Sequence, residues 1–159
     1  MPGVRVCPAL GRHGSRGNVG LVLGGSVGVV DVDLDNPVVA VATADIILPP
    51  TLQSGRKWGL RTHRWYICRP TPAPRKYALP RPLAERLKVE TGEGLPVELR
   101  STGQQTMVPP SVHPVEGDRC IWPPGEIREI DGGGLAGLVF EVAVAALLVL
   151  NAPWGAASG

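Results

Sequence analysis

Short hydrophobic runs, separated by glycine and proline, make up most of the apolar pattern of this chain. Valine-rich runs predict strands over residues 19–23 and 27–33, with Gly24-Gly25-Ser26 as the turn between them. The second run is almost continuously apolar until its end, which indicates a strand buried on both faces. Asn36-Pro37 then indicates the start of a short helix that ends near Ile47.

The second half of the chain continues this alternation of short elements. Aromatic and β-branched residues predict a strand over residues 62–69, and five prolines within residues 70–82 predict a loop or a sheet edge. Two further strands, residues 97–101 and 105–108, flank Thr102-Gly103, and this spacing favours a hairpin or a bulge. A rigid, proline-bounded loop follows over residues 109–114.

A long apolar segment, residues 135–150, predicts the last helix, and Glu141 is its one charged residue. A membrane span needs about 20 apolar residues, and a carboxylate in mid-span costs a few kcal/mol. We therefore favour a buried core helix over a membrane span. Because the helix lacks a polar face, we expect something to cover it: either the chain self-associates or it is a piece of a longer protein.

Composition limits the class of protein further. The 159 residues suffice for one core, and the net charge of +2 excludes a strong overall field for nucleic acid. Cys7, Cys68 and Cys120 are far apart and form no C-x-x-C pair, which argues against a disulfide scaffold and against a zinc knuckle. Reduced cysteines suit a cytoplasmic location.

Three carboxylates at alternate positions end the second predicted strand. Asp31, Asp33 and Asp35 would share one face, because side chains alternate along a strand. Their mutual repulsion would be relieved by a divalent cation, as in phosphoryl-transfer enzymes that hold Mg²⁺ or Mn²⁺. A solvated acidic strand end is the alternative interpretation, and the spacing alone does not decide between them.

Basic residues are concentrated in residues 56–88, where Glu85 is the one acidic residue. Such a stretch suits a polyanion bridged to a metal, and it also suits an ordinary solvated loop. The basic residues of this stretch are Arg56, Lys57, Arg61, Arg64, Arg69, Arg75, Lys76, Arg81, Arg86 and Lys88.

Other candidates for chemistry lie on later elements. His63, between Arg61 and Arg64 and directly after Thr62, suits a phosphate contact. Glu98 matters for chemistry only if its strand lies beside the Asp31 strand. The loop with Ser111 and His113 suits recognition, whereas the sequence has no Gly-x-Ser-x-Gly elbow for a serine hydrolase and no Walker-type phosphate loop.

Taken in order, these motifs resemble the bifunctional DNA primase/polymerase domain of the archaeo-eukaryotic primase superfamily. The resemblance covers roughly residues 18–154. It rests on Asn18 to Gly24, on Gly28 to Asp35, on Gly55 to Tyr66, on Glu98 to Gly103, and on Pro109 to Pro114 with Trp122. It implies an α+β fold with a mixed or antiparallel sheet, flanking helices and an RRM-like core.

The resemblance also implies an activity and a set of site residues. It implies template-directed nucleotidyl transfer from nucleoside triphosphates on a DNA template and primer, with two divalent metals, Mg²⁺ or Mn²⁺. Asp31, Asp33 and Glu98 would bind the metals and act in catalysis with His63. The resemblance further implies nucleotide or phosphate contacts for Lys57, Arg61, Thr62, His63, Arg100, Ser111 and His113.

Three functional classes stay open at this point. The first is a primase/polymerase enzyme, and the second is a truncated, inactive relative that binds nucleotides or nucleic acid. The third is a small membrane-associated protein anchored by residues 135–150, although we expect no membrane partner. We divide the chain into an irregular segment (1–17), an incomplete catalytic-type domain (18–154) and a tail (155–159), and a helicase partner or fused helicase domain fits the first class.

Overall fold

The computed structural model describes residues 17–35, 38–57, 59–78, 82, 85 and 97–151. Residues 1–16 of the predicted N-terminal segment, the predicted tail and the Asn36-Pro37 helix start lie outside these residues. The strands are β1 (Val19–Val22), β2 (Val29–Leu34), β3 (Leu52–Arg56), β4 (Gly59–Cys68), β5 (Arg75–Tyr77), β6 (Val97–Arg100), β7 (Gln105–Val108) and β8 (Arg128–Ile130), and the helices are α1 (Val39–Ile47) and α2 (Gly132–Asn151).

A mixed six-stranded sheet forms the centre of the described structure. Its order is β3-β4-β2-β6-β5, all antiparallel, and β8 adds a parallel pairing to β4. The order β3-β4-β2-β6, with α1 between β2 and β3, is that of a split βαβ, RRM-like core. The predicted α+β class is therefore confirmed.

The predicted hairpin between the strands around Thr102-Gly103 is wrong. Both edges of β6 are already paired, one with β2 and the other with β5, so β6 has no free edge for β7. The turn at Gly103, where φ is 86°, instead directs β7 away from the sheet, and β7 pairs with β1 as a separate two-stranded ribbon. We call this pair the β1–β7 ribbon.

The apolar core lies on one face of the sheet, beneath both helices. Val30, Val32 and Leu34 of β2 are fully buried there, because they are the alternate residues of one strand. Helix α1 contributes Ala40 and Ala44 to this core, and it ends before Pro49 because a residue that precedes proline avoids the helical conformation. The predicted end of α1 near Ile47 is confirmed.

Helix α2 is buried along one stripe only. Leu135, Val139, Val142 and Ala146, at helical spacing, are fully buried against the sheet and α1, as expected for a core helix. The opposite stripe is exposed and apolar, and it comprises Phe140, Val144 and Leu148. Within the described residues, α2 has over Gly132–Leu150 the length and hydropathy (2.3) of a membrane-crossing helix, and 22% of that window is buried.

Candidate functional site

Register places the predicted acidic residues in one row across the sheet. Asp33 on β2 lies directly opposite Glu98 on β6 and opposite His63 on β4. The row extends to Lys76 on β5 and to Ser54 on β3. Residues that are directly opposite in neighbouring strands point to the same face, so the row is a continuous polar line on the face away from the helices.

Asp31 lies in the next row on the same face. Its cross-strand neighbours are Arg100 on β6 and Trp65 on β4. The Asp31 residue is 0% exposed and Asp33 is 3% exposed, so both carboxylates are buried, whereas Asp35 at the strand end is exposed. The interpretation of the first two as a solvated strand end is therefore wrong.

His63 joins the two aspartates. Its Nδ1 lies 3.0 Å from Asp31 Oδ2 and 3.4 Å from Asp33 Oδ1. Thr106 of the β1–β7 ribbon donates its hydroxyl to the same Asp31 oxygen at 2.8 Å. Asp31 Oδ1, in contrast, is buried without a hydrogen-bond partner.

Arg100 joins Asp33 to Glu98. Its guanidinium contacts Asp33 Oδ2 at 2.6 Å and Glu98 Oε2 at 2.8 Å, and Lys76 Nζ lies 2.7 Å from Glu98 Oε1. Three carboxylates therefore lie among three basic side chains, those of His63, Arg100 and Lys76. These basic side chains relieve part of the repulsion between the acids.

The pKa values of the site follow from burial and from these contacts. Burial of the His63 ring opposes its protonation, but the charge and hydrogen bond of Asp31 and the charge of Asp33 outweigh it and raise its pKa to about 9. Burial raises the pKa of Asp33, although His63 and Arg100 oppose the rise. Burial also acts to raise the pKa of Glu98, but its hydrogen bonds from Lys76 and Arg100 prevail and lower it.

A cavity of about 280 Å³ opens beside this row. Asp33 and His63 lie in its wall, and the β3–β4 hairpin forms one side of it. At Gly55 in that hairpin, an added Cβ would lie 1.8 Å from the Gly59 carbonyl oxygen, so the close approach of the two backbones requires glycine. The full lining is Asp33, Leu34, Asp35, Ser54, Gly55, Arg56, Gly59, Thr62, His63, Arg100, Thr106, Met107, His113 and Cys120.

The residues predicted to contact nucleotide or phosphate divide into two groups. Thr62, His63, Arg100 and His113 line the cavity, so the loop over residues 109–114 reaches it through His113. Lys57, Arg61 and Ser111 do not line it.

Arg61 pairs with Asp45 of α1 at 2.7 Å, and Lys57 is exposed in the turn after β3. Ser111 is buried, and its hydroxyl bonds the N–H and the carbonyl of Val19. The structure therefore gives Ser111 a role in anchoring the loop to β1 and does not bring these three residues to the cavity.

Two residues of the site were missed from the sequence. Thr106 gave only a weak signal, as a polar residue at an inward position of β7. Lys76 was recognised only as part of the basic stretch, because a cross-strand partner depends on the order of the strands. Thr106 contacts Asp31 from a strand 75 positions along the chain, and Lys76 contacts Glu98 across the β5–β6 pairing.

The donor chemistry at Asp31 and Asp33 fits a hard divalent cation. Their carboxylate oxygens are the ligand type that Mg²⁺ and Mn²⁺ prefer, and Asp31 Oδ1 is buried with no competing partner. Both oxygens of Glu98 contact Arg100 and Lys76, and both oxygens of Asp33 contact Arg100 and His63, so Asp31 Oδ1 is the carboxylate oxygen of this set without a partner. Within the described part of the chain, no group of three or more His, Cys, Asp or Glu side chains has the arrangement of a metal site.

Fold and site together define an α+β protein with an RRM-like sheet. Its charged site lies beside a cavity, on the face of the sheet that the helices leave free. The family model for the N-terminal domain of bifunctional DNA primase/polymerases (Prim-Pol) matches residues 5–132, and the chain belongs to this family. At the family level this is a primase/polymerase-type nucleotidyltransferase domain. Comparisons with curated proteins and with solved structures yield no match.

Proposed function

We propose that this chain catalyses template-directed nucleotidyl transfer, with a nucleoside triphosphate bound in the cavity beside His63. The observation that carries the proposal is the in-register row of Glu98, Asp33 and His63, of which Asp33 and His63 line that cavity. Carboxylates beside fixed cations suit a reaction in which a 3′-hydroxyl attacks the α-phosphate and pyrophosphate leaves.

Each residue of the site would have a separate role in the proposed reaction. Asp31 and Asp33 would hold Mg²⁺ or Mn²⁺, which would stabilise the charge that develops on the phosphate and favour ionisation of the attacking hydroxyl. Against the effect of burial, the charges of Asp31 and Asp33 raise the pKa of His63 to about 9. His63 would contact the phosphates together with Arg100. Glu98 would join a second cation only by giving up Arg100 or Lys76.

Primer extension with Mn²⁺ tests this proposal. Asp33→Asn should reduce extension at least about 100-fold, because it removes one of the carboxylates that hold the cation. Asp131→Asn is the matched control: Asp131 caps α2 through Gly134 N, asparagine caps helices equally well, and extension should stay at the wild-type level. Equal extension by wild type and Asp33→Asn would refute the proposal.

An inactive nucleotide-binding relative is the second candidate function. The pairing of Glu98 with Arg100 and Lys76 favours it, because a carboxylate that is fully paired is not available to a cation. Under this alternative, nucleoside triphosphate binds with an affinity that depends on His63, while no primer is extended. Calorimetric titration of the nucleotide, run beside the extension assay, separates the two functions.

A further inference from the structure

Thr106 links two separate sheets. It lies on β7, which pairs with β1 in the ribbon, and yet its hydroxyl reaches Asp31 in the centre of the six-stranded sheet. Thr106 is 2% exposed and Asp31 is 0% exposed, so water does not compete for this contact. A hydroxyl that donates to a buried carboxylate makes a charge-assisted hydrogen bond, which is stronger than a neutral one.

The contact is selective for one oxygen of the carboxylate. Thr106 and His63 both approach Asp31 Oδ2, at 2.8 and 3.0 Å, while Oδ1 has no partner. The torsion that orients a carboxylate has a broad and roughly two-fold energy profile, so it is set by the surrounding contacts. Two contacts on Oδ2 hold that torsion and leave Oδ1 as the oxygen without a hydrogen-bond partner.

The position of Thr106 is itself held firmly. Ser111 bonds both backbone groups of Val19, and Asn18 exchanges two hydrogen bonds with the Val112 backbone. Leu23 and Val108 pack against the buried Trp65 of the main sheet. The hydrogen bonds therefore hold β1 to the loop after β7, and the packing of Leu23 and Val108 on Trp65 holds the ribbon, with Thr106, against the sheet.

We infer that Thr106 is a positioning residue that orients the Asp31 carboxylate so that Oδ1 faces an incoming divalent cation. This inference rests on the proposed function, because it concerns the cation held by Asp31 and Asp33. It assigns a role to the β1–β7 ribbon as well: the ribbon covers the sheet and carries the hydroxyl that orients the carboxylate. Residues that hydrogen-bond to a metal ligand typically change metal affinity 10- to 100-fold when removed.

Calorimetric titration of Mn²⁺ into the nucleotide-free full chain tests the inference. Thr106→Val keeps the shape of the side chain but loses the hydroxyl, and we expect its Mn²⁺ affinity to fall about 10-fold or more. Thr106→Ser keeps the hydroxyl and should stay within about threefold of wild type. Thr106→Ala removes the hydroxyl without adding an apolar contact and carries the same expectation as Thr106→Val.

Thr43→Val supplies the matched control. Thr43 is a buried threonine of α1 whose hydroxyl bonds backbone carbonyls on the opposite side of the sheet. The Thr43→Val variant should lose stability without any change in Mn²⁺ affinity. Thermal unfolding in EDTA measures how much each variant is destabilised.

The outcomes separate the inference from the proposed function. Wild-type Mn²⁺ affinity in folded Thr106→Val or Thr106→Ala overturns the positioning role and leaves the proposed function standing. Equal losses in Thr106→Ser and Thr106→Val also overturn it, because the hydroxyl would then not be the determinant. A wild-type chain whose Mn²⁺ binding is no tighter than that of Asp31→Asn overturns the proposed function, and the cation role of Thr106 with it.

Discussion

On one face of the six-stranded sheet, Val30, Val32 and Leu34 of β2 pack against the two helices. On the other face, Asp31 and Asp33 of the same strand lie among His63, Arg100 and Thr106. Both sets are buried, so burial does not distinguish the faces. They differ in how burial acts on the free energy of folding.

The apolar face stabilises the fold, because each buried aliphatic side chain contributes about 1.5–3 kcal/mol. The charged face contributes little net stability, because the cost of desolvating its charges offsets their attraction. The charged row is therefore a weak source of stability. The proposed chemistry would account for it, and the following experiments test the contrast between the faces.

The largest effect should come from moving a charge to the apolar face. Val32→Asp places a carboxylate at a fully buried position without a basic partner, which costs several kcal/mol of a total stability of about 5–15 kcal/mol. We expect the variant to be unfolded at neutral pH by circular dichroism. Val22→Asp, at a residue that is 52% exposed, should unfold within about 1 kcal/mol of wild type in urea. A folded Val32→Asp would show that this face accepts charge.

Substitution of two leucines on α2 measures how much a buried and an exposed apolar side chain each contribute to the stability of the fold. Leu135 is fully buried and Leu148 is 65% exposed, so the same substitution samples the two stripes of one helix. Leu135→Ala should lower the free energy of unfolding by about 2–5 kcal/mol, and Leu148→Ala by no more than about 0.5 kcal/mol. Urea unfolding measures both, and similar losses would indicate that the exposed stripe is covered in solution, for example by a second copy.

On the charged face, Arg100→Met should expose the repulsion between Asp33 and Glu98. We expect a loss of about 1–3 kcal/mol in EDTA, because two buried carboxylates lose a shared partner. If Asp33 binds a cation, then Mn²⁺ should restore part of that loss.

Arg61→Met is the control for this experiment, since its ion pair with Asp45 lies away from the cavity. It should cost less than about 1 kcal/mol and show no such recovery. The same destabilisation of Arg100→Met with and without Mn²⁺ would argue against a cation at Asp33.

The smallest expected effect is a difference in thiol reactivity between Cys68, in the apolar core, and Cys120, at the cavity on the charged face. Burial, with a smaller contribution from Asp131, raises the pKa of Cys68 in the apolar core to about 11. The folded thiol thus stays protonated where the unfolded thiol ionises, so it stabilises the fold below about pH 9 and loses this effect as the pH rises through 11. At pH 8 only about one molecule in a thousand carries the Cys68 thiolate.

Alkylation by iodoacetamide at pH 8, in a Cys7→Ser background, measures this difference. Cys120, which lines the cavity, should react faster than Cys68, and the rate at Cys68 should rise toward pH 11. Faster modification of Cys68 at pH 8 would mean that the core opens more readily than the cavity.

Local pattern was enough to predict most of the elements. Alternation in β2, the apolar run of α2 and the prolines after α1 each act within a few residues, so they are readable along the chain. The row of Asp33, Glu98 and His63 also agrees with the resemblance, since its motifs mark these residues one by one. The order of strands is a different matter, because whether β7 pairs with β6 or with β1 depends on which strand edges are already taken.

The amino-acid sequence by itself determined the α+β class, the acid-x-acid strand and the residues that its family motifs mark. Only the tertiary structure decided which charges meet. It paired Glu98 with Lys76, turned Arg61 toward α1, and brought the Thr106 hydroxyl to Asp31 across 75 positions of the chain. The physical reason is that hydrogen bonds and ion pairs act over a few ångströms in space, and strand pairing and register set those distances.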